Sequence, residues 1–116
     1  MRVLVVEDHE DSLAGLVALL ASYGFQPSGF NSAEAGFAAH LSNPFEIVLT
    51  DIDLPGMTGC DLARSIGAIP QPLPCDRAIV HAMSGRELGN SDRALFDKFF
   101  LKPIDLDLLL HTLKAV

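Results

Sequence analysis

The sequence predicts an α/β domain in which a parallel β-sheet is covered by helices on both faces. Two observations predict it: short apolar runs recur along the chain, and segments with helical spacing or with polar character separate them. A short apolar run without polar alternation is typical of a strand that is buried on both faces of a parallel sheet. Alternation of such strands with helices favours parallel pairing, because each crossover helix packs back on the sheet.

The composition is typical of one globular domain, which we expect to span residues 1–116. Hydrophobic residues make up 49% and charged residues 20% of the chain, which are ordinary proportions for a folded domain of this length. No apolar run reaches the ~18 residues of a membrane helix, and no basic and apolar leader opens the chain. Two cysteines, Cys60 and Cys75, do not make a disulfide framework and are expected to be reduced thiols. These features favour a cytoplasmic protein without a membrane partner.

Charge is unevenly distributed along the chain. The formal net charge is −7, which argues against direct binding of nucleic acid because that binding normally needs a basic surface. Residues 1–61 hold nine acidic side chains and one basic side chain, whereas residues 62–116 hold six acidic and seven basic ones. Carboxylates are therefore concentrated in the first half of the chain.

Five strands are predicted, of which the first, third and fourth are strong because each is an apolar run that stops at a polar residue. The second is weaker, since Pro27 and Gly29 interrupt it. The fifth is short and ends before Lys102-Pro103. In chain order the predicted strands are residues 2–6, 25–30, 45–50, 78–83 and 98–101.

Five helices are predicted between and after these strands. In the first, apolar residues recur at helical spacing, and Gly24 is suited to end it. Asn31 and Glu34 resemble a capping box that opens the second. The fourth should be short, because its segment is polar and contains two glycines. The predicted helices include or span residues 13–20, 31–41, 60–66, part of 85–97, and 105–115, and a proline-rich surface connection is expected at 67–76.

Polar side chains stand where the strong strands and the last strand end. Glu7 and Asp8 follow the first strand, Asp51 the third, Ser84 the fourth and Lys102 the fifth. Because ligands of such sheets bind beyond the carboxyl ends of the strands, we expect these side chains to converge at one edge.

The chemistry of this set is specific. Three neighbouring carboxylates repel one another unless a cation joins them, and oxygen ligands with room for water suit Mg²⁺. An ammonium group would neutralise remaining charge, and a hydroxyl could donate a hydrogen bond to a phosphoryl oxygen. One carboxylate is then free to act as a nucleophile and form an aspartyl phosphate.

The sequence resembles the receiver (CheY-like) domain of two-component response regulators over essentially the whole chain. The resemblance implies a flavodoxin-like (βα)5 doubly wound sandwich with a five-stranded parallel sheet in the order 2-1-3-4-5. It rests on four pieces in the right order, each at the end of a strand: Val5-Val6-Glu7-Asp8, Asp51-Ile52-Asp53-Leu54-Pro55-Gly56-Met57-Thr58-Gly59, Met83-Ser84-Gly85 and Phe100-Leu101-Lys102-Pro103.

The resemblance also implies a role for each residue of the acidic half of the site. Asp51 matches the phosphoryl acceptor. Asp8 would bind Mg²⁺ directly, Glu7 would help through water, and the backbone carbonyl of Asp53 would complete the protein ligands together with Asp51. Mg²⁺ is the one cofactor that these residues imply.

Four further residues carry roles implied by the resemblance. Ser84 matches the hydroxyl that moves to hydrogen-bond the phosphoryl group, and Lys102 matches the lysine that pairs with the acceptor. Pro103 follows it, in the family usually through a cis peptide. Phe99 occupies the place of the switch aromatic, which swings inward on activation.

The function implied is a signalling module rather than a metabolic enzyme. It would take a phosphoryl group from a histidine kinase or a phosphotransfer protein onto Asp51, catalyse its own transfer and hydrolysis, and switch conformation to control an unknown downstream protein. The kinase, the output partner, the signal and the oligomeric state are left open.

Three features depart from the family pattern or add to it. The segment from Ser84 to Lys102 is several residues shorter than usual, which puts the usual output and dimer face in doubt. The chain ends just after the fifth helix, so we expect it either to act by docking on a partner or to be a piece of a larger protein. Asp53 and Arg86 are hypothesised to pair across the mouth of the site and to slow hydrolysis of the phosphoryl group.

Two other functions stay open at this point. One is an interaction scaffold that keeps the fold without being phosphorylated, although the set of acceptor, metal and lysine residues argues against it. The other is a phosphatase, because Asp51-x-Asp53 resembles the nucleophile pair of haloacid-dehalogenase-type enzymes. Those enzymes usually place the pair after the first strand rather than the third.

Four histidines and one cysteine are left without a function. His9 is expected to be an exposed loop residue, with metal ligand or proton carrier as the alternative. His81 lies in a buried strand and should need a hydrogen-bond partner there. His40 and His111 fall in predicted helices and are expected to be solvated. Cys60 is expected to be a small residue at a helix start rather than a redox sensor.

Overall fold

Strands and helices alternate along the chain in the computed structural model, which describes residues 1–70 and 77–115. The proline-rich connection predicted at 67–76 therefore lies mostly outside the described residues. The strands are β1 (Arg2–Val6), β2 (Gln26–Phe30), β3 (Ile47–Asp51), β4 (Ile79–Ser84) and β5 (Lys98–Leu101). The helices are α1 (Glu10–Ser22), α2 (Ala33–Ser42), α3 (Gly59–Gly67), α4 (Asn90–Arg93) and α5 (Leu106–Lys114).

The five strands form one parallel sheet in the order β2-β1-β3-β4-β5. This confirms the predicted flavodoxin-like topology, including the short fourth helix, which has four residues. β3 is buried along its whole length, whereas β2, at the edge of the sheet, is partly exposed. No helix in the described ranges is long and apolar enough to cross a lipid bilayer.

The sheet divides the apolar core into two clusters. Val3 of β1 packs in the cluster that contains Leu20 of α1 and Leu109 of α5. Its neighbour Leu4 packs in the opposite cluster, which contains Leu62 of α3. All five of these side chains are fully buried. Because successive residues of a strand point to opposite faces, a strand covered on both faces is mostly apolar along its length, which explains the apolar runs in the sequence.

Two helix starts differ in detail from the sequence-based expectation. α2 is capped by Ser32, whose Oγ accepts a hydrogen bond from the backbone N–H of Ala35 at 3.2 Å. The capping box predicted from Asn31 and Glu34 is therefore wrong by one residue, because Ser32 has the extended backbone and the side-chain acceptor that an N-cap needs.

α1 begins one residue after His9, which is its N-cap. The Nδ1 atom of His9 accepts a hydrogen bond from the backbone N–H of Ser12 at 3.3 Å. His9 is exposed, as predicted. Its role in the structure is to cap the N-terminus of α1.

His40 is buried, so the expectation that it is solvated is wrong. It is 4% exposed, and its Nδ1 atom accepts a hydrogen bond from the backbone N–H of Phe45 at 3.1 Å. The two rings are stacked with centroids 6.2 Å apart, and the guanidinium of Arg2 lies 4.2 Å from the centre of the Phe45 ring. Burial, and then the positive charge of Arg2, lower the pKa of His40 from its usual value of 6.5. His40 is thus held neutral as part of the fold.

This arrangement predicts a dependence of stability on pH. The folded state depresses the pKa of His40, so its contribution is complete above pH 6.5 and is lost as the pH falls through the folded-state pKa. We expect His40→Leu to lower the free energy of unfolding at pH 7.5 by about 1–3 kcal/mol, because the Phe45 N–H loses its acceptor. The variant should also lose less stability than the parent chain between pH 7.5 and 5.5.

The measurement is urea unfolding at both pH values, followed by far-UV circular dichroism. His111→Leu is the matched control, since the His111 side chain is exposed and should change neither quantity appreciably. A His40→Leu chain with the full pH dependence of the parent would contradict the assignment.

Candidate functional site

Four of the five strands bring the predicted site residues to one edge of the sheet. Glu7 and Asp8 directly follow β1, and Asp51 is the last residue of the adjacent β3. Ser84 is the last residue of β4, and Lys102 directly follows β5. The convergence expected from the sequence is therefore present.

A lysine joins the two buried carboxylates at the centre of this edge. The Nζ atom of Lys102 lies 2.8 Å from Oε2 of Glu7 and 3.2 Å from Oδ2 of Asp51. The side chain of Glu7 is 2% exposed, that of Asp51 is 10% exposed, and Asp8 is exposed. The peptide bond between Lys102 and Pro103 is cis, as the family resemblance implied.

The remaining oxygens of the two buried carboxylates are also hydrogen-bonded. Oε1 of Glu7 accepts from the backbone N–H of His9 at 3.2 Å. Oδ1 of Asp51 accepts from the backbone N–H of Ile52 at 2.9 Å. Each carboxylate is thus held in a fixed orientation by one backbone donor and by Lys102.

The charged groups of the site leave an excess of negative charge. Burial raises the pKa of Asp51, the charge of Glu7 raises it further, and Lys102 acts in the opposite direction. Burial acts to lower the pKa of Lys102, but hydrogen bonding and attraction to Glu7 and Asp51 outweigh it, so the pKa is raised. One ammonium group faces three carboxylates, and an additional cation would relieve the repulsion that remains.

The donor set fits a magnesium ion. Glu7, Asp8 and Asp51 each offer a carboxylate oxygen, and these oxygens all lie within 4.8 Å of one another. All are hard oxygen ligands, and the exposure of Asp8 leaves space for the water molecules that Mg²⁺ retains.

The loop after β3 holds Asp51 against the start of α3. Gly59 donates its backbone N–H to the carbonyl of Ile52 at 3.0 Å. A Cβ atom at Gly59 would overlap the carbonyl oxygen of Asp51 and would lie 2.9 Å from Cα of Ile52. Thr58 and Asp61 form a capping box that begins α3 immediately beyond this contact. Glycine is therefore required at position 59 by close packing of backbone on backbone.

A bidentate ion pair lies at the mouth of the site. Nε and Nη2 of Arg86 donate to the two carboxylate oxygens of Asp53 at 3.1 and 2.9 Å. The backbone N–H of Arg86 also donates to Oγ of Ser84, which is fully buried, at 3.1 Å. The pairing of Asp53 with Arg86 that was hypothesised from the sequence is present, although both side chains are more than half exposed.

Phe99 is half-buried and packs against the apolar cluster on the α2 and α3 side of the sheet. The guanidinium of Arg93, from α4, lies 5.0 Å from the centre of its ring. The sequence did not indicate this contact, because it depends on how a four-residue helix approaches β5. The backbone N–H that His9 donates to Glu7 was missed for a similar reason, since no side-chain pattern marks a backbone donor.

Comparison with known proteins points to one family. The model of the response regulator receiver domain matches residues 3–114. The sensor histidine kinase AtsR of Burkholderia thailandensis is 29% identical over 111 residues, which cover 94% of this chain and 18% of that protein. The virulence sensor protein BvgS of Bordetella pertussis is 40% identical over 68 residues, which cover 59% of this chain and 6% of that protein. This chain thus spans less than a fifth of the length of these curated relatives.

A solved structure agrees with the sequence matches. A response regulator receiver domain (CheY-like) from Methylobacillus flagellatus superposes with a TM-score of 0.87 at 28% sequence identity. The superposition covers 99% of this chain and 97% of the other. Fold and sequence therefore lead to the same family.

The close packing at Gly59 predicts a sharp difference between two glycine substitutions in α3. We expect Gly59→Ala to lower the free energy of unfolding by about 1–3 kcal/mol, because the new Cβ can be accommodated only by moving the backbone of Asp51 and Ile52. Gly67→Ala is the matched control, since no atom lies within 4 Å of a Cβ there. Chemical denaturation of both variants measures the effect, and equal stabilities would contradict the packing argument.

Proposed function

We propose, because the chain belongs to the response regulator receiver domain family and because of the geometry of its site, that Asp51 accepts a phosphoryl group from a phosphohistidine donor. The observation that carries the proposal is the ammonium of Lys102 between Glu7 and Asp51, with Asp8 at the open side. We further propose that residues 1–116 act as a single receiver domain.

Phosphoryl transfer to Asp51 needs a nucleophilic oxygen and a balanced charge. A carboxylate oxygen of Asp51 forms the new bond to phosphorus, and the bond from phosphorus to the donor imidazole breaks. Mg²⁺, when bound, supplies the positive charge that offsets the carboxylates and the incoming phosphoryl oxygens. Asp8 and Asp51 would hold the ion directly, Glu7 through water, and Asp53 through its backbone carbonyl.

Lys102 is placed to follow the charge as it moves. It already contacts Oδ2 of Asp51 at 3.2 Å and is held from the other side by Glu7. When the carboxylate becomes an acyl phosphate, the negative charge moves outward to the phosphoryl oxygens. We infer that the ammonium then binds one of those oxygens, with Glu7 limiting how far it travels.

Ser84 and Phe99 would convert this charge change into a change of shape. The hydroxyl of Ser84 accepts a hydrogen bond from Arg86, and its own proton is available for a phosphoryl oxygen. Movement of Ser84 toward the phosphoryl group would alter the packing beside Phe99 on the adjacent strand, which favours a second conformation. Arg93, over the Phe99 ring, would then be released or displaced.

The partners follow from this chemistry in outline. The donor would be a histidine kinase or a phosphotransfer protein, in keeping with relatives that are themselves named sensor histidine kinases. A downstream protein would read the second conformation. Hydrolysis of the acyl phosphate by the chain itself would end the signal, and no turnover of other substrates is proposed.

The acceptor can be tested by intact-mass spectrometry after incubation with acetyl phosphate. We expect the chain to gain one phosphoryl group when Mg²⁺ is present and none when it is chelated. Asp51→Asn should gain nothing, because the amide lacks the nucleophilic carboxylate oxygen. Asp53→Asn is the matched control, since it neutralises a neighbouring carboxylate and keeps the acceptor.

Two results would contradict this proposal in different ways. A phosphoryl group on Asp51→Asn would place the acceptor elsewhere. No gain by the parent chain with either acetyl phosphate or a phosphorylated phosphotransfer protein would favour a scaffold that works without phosphorylation.

We propose that the ion pair of Asp53 and Arg86 lengthens the lifetime of the phosphoryl group on Asp51. The pair would obstruct the route by which a water molecule reaches the phosphoryl group, and an exposed ion pair contributes at most ~1 kcal/mol to such a barrier. We therefore expect Arg86→Ala to shorten the half-life of the acyl phosphate by about two- to fivefold. The decay is followed by mass after removal of acetyl phosphate. Arg64→Ala, which breaks an exposed pair with Asp61 on α3, is the control. An unchanged half-life in Arg86→Ala would contradict the role.

A further inference from the structure

Helix α4 contributes no buried residue to the core, although it lies between two well-buried positions of the chain. None of its four residues is buried, and its N-cap, Gly89, provides no side-chain acceptor. Leu88 and Phe96, on either side of the helix, are 7% and 9% exposed and belong to the apolar cluster on the α2 and α3 side of the sheet. Apolar burial therefore fixes the two ends of this segment but not α4 itself.

Two consecutive charged residues connect α4 with its neighbours. Oδ1 of Asp92 lies 3.8 Å from Nη2 of Arg64 on α3, and both of these side chains are more than 40% exposed. The guanidinium of the next residue, Arg93, lies 5.0 Å from the centre of the Phe99 ring on β5. Exposed contacts of both kinds are individually weak, so the position of α4 depends on interactions that a small change of conformation can break.

The charge of Arg93 is directed to the Phe99 ring rather than to a carboxylate. Arg93 is exposed and makes no ion pair within the described part of the chain. A guanidinium within about 6 Å of the centre of an aromatic ring is attracted by the negative face of that ring. The contact therefore stabilises the position of Phe99 that the structure shows.

This position of Phe99 is close to the surface. The ring is half-buried, and it leaves the same face of the sheet as Ser84, because Phe99 lies opposite Ala82 in the register of β4 and β5. If the ring moved inward, toward Ser84, the contact with Arg93 would break or the guanidinium would leave water without a carboxylate partner. Both alternatives cost free energy. Arg93 therefore opposes inward movement of the ring.

We propose that Arg93 is a positioning residue that holds Phe99 in this outward position and thereby opposes phosphoryl binding at Asp51. The inference rests on the proposed function, because it takes the inward position of Phe99 to be the one that the phosphoryl group favours. Two sites that share one conformational equilibrium affect each other reciprocally. Loss of the contact between Arg93 and Phe99 should therefore strengthen the binding of a phosphoryl group.

The test is the affinity of the chain for beryllofluoride at saturating Mg²⁺, because this anion imitates the phosphoryl group and binds reversibly. Titration followed by amide NMR signals gives the dissociation constant. Arg93→Met should lower the constant about two- to fivefold, which is the change expected from loss of one exposed cation–π contact. General electrostatics predicts the opposite sign, since removal of a positive charge weakens the binding of an anion.

The Phe99 ring gives a second measurement that a purely structural role of Arg93 would not affect. In the parent chain, the aromatic ¹H–¹³C signals of Phe99 are recorded without beryllofluoride and at saturation. In free Arg93→Met, these signals should lie part of the way along the line that joins the two parent positions. Arg93→Lys keeps a cation for the ring and should preserve both the parent signals and the parent dissociation constant within about twofold.

Two controls separate the contact from other effects of the substitution. Lys114→Met removes an exposed cation that lies 4.9 Å from the centre of the Tyr23 ring, and it should leave the dissociation constant unchanged. In a Phe99→Leu chain, Arg93 has no ring to contact. Arg93→Met should therefore no longer lower the dissociation constant in that background.

Three results would overturn the inference. If the parent chain does not bind beryllofluoride, the proposed function fails and the inference fails with it. If the parent binds but Arg93→Met binds equally well or more weakly, the inference alone fails. An equal effect of Arg93→Met in the parent and in the Phe99→Leu chain would also contradict it, because Arg93 would then act on the site without the ring.

Discussion

The site depends on one ammonium group shared by two buried carboxylates. Glu7 and Asp51 lie at the ends of two adjacent central strands, and neither has access to enough water to carry its charge without a partner. Lys102 reaches both from the end of β5, which lies two strands away from β3. If the ammonium were absent, two negatively charged carboxylates would be close together at an edge of the sheet that is almost inaccessible to water, and their charges would be uncompensated. The strand order is therefore what allows one lysine to hold the acceptor in place.

Much of the architecture could be predicted from the sequence because burial on both faces leaves a clear pattern. The apolar runs of β1, β3 and β4, and the polar residues at which they stop, located both the strands and the edge of the sheet that carries the site. The local details could not be predicted in the same way. Asn31 and Ser32 are both good N-caps, and the choice between them depends on where the backbone leaves β2.

The two buried histidines show a different limit of sequence reasoning. His40 lies in a helix with small neighbours, and its burial depends on Arg2 from β1 and on Phe45 from the loop after α2. His81 was expected to be buried and to have a hydrogen-bond partner. It is buried, but neither ring nitrogen has a partner among the described residues, because this depends on the side chains that β5 and α5 place around it. The pattern in a single sequence shows the periodicity of a helix or strand. It does not show which residues of other elements pack against that helix or strand.

β4 and β5 connect the acidic site with the face of the sheet that α5 covers. Ser84 and His81 lie on the same strand but, three residues apart, they face opposite sides of the sheet. On β5 the consecutive residues Lys98 and Phe99 do the same. α4, with only four residues, lies between these two strands in sequence, and its Arg93 contacts Phe99. A displacement of β5 that repositioned Phe99 would therefore also move Lys98. A change in packing on one face of the sheet would thus be transmitted to the other face through β5.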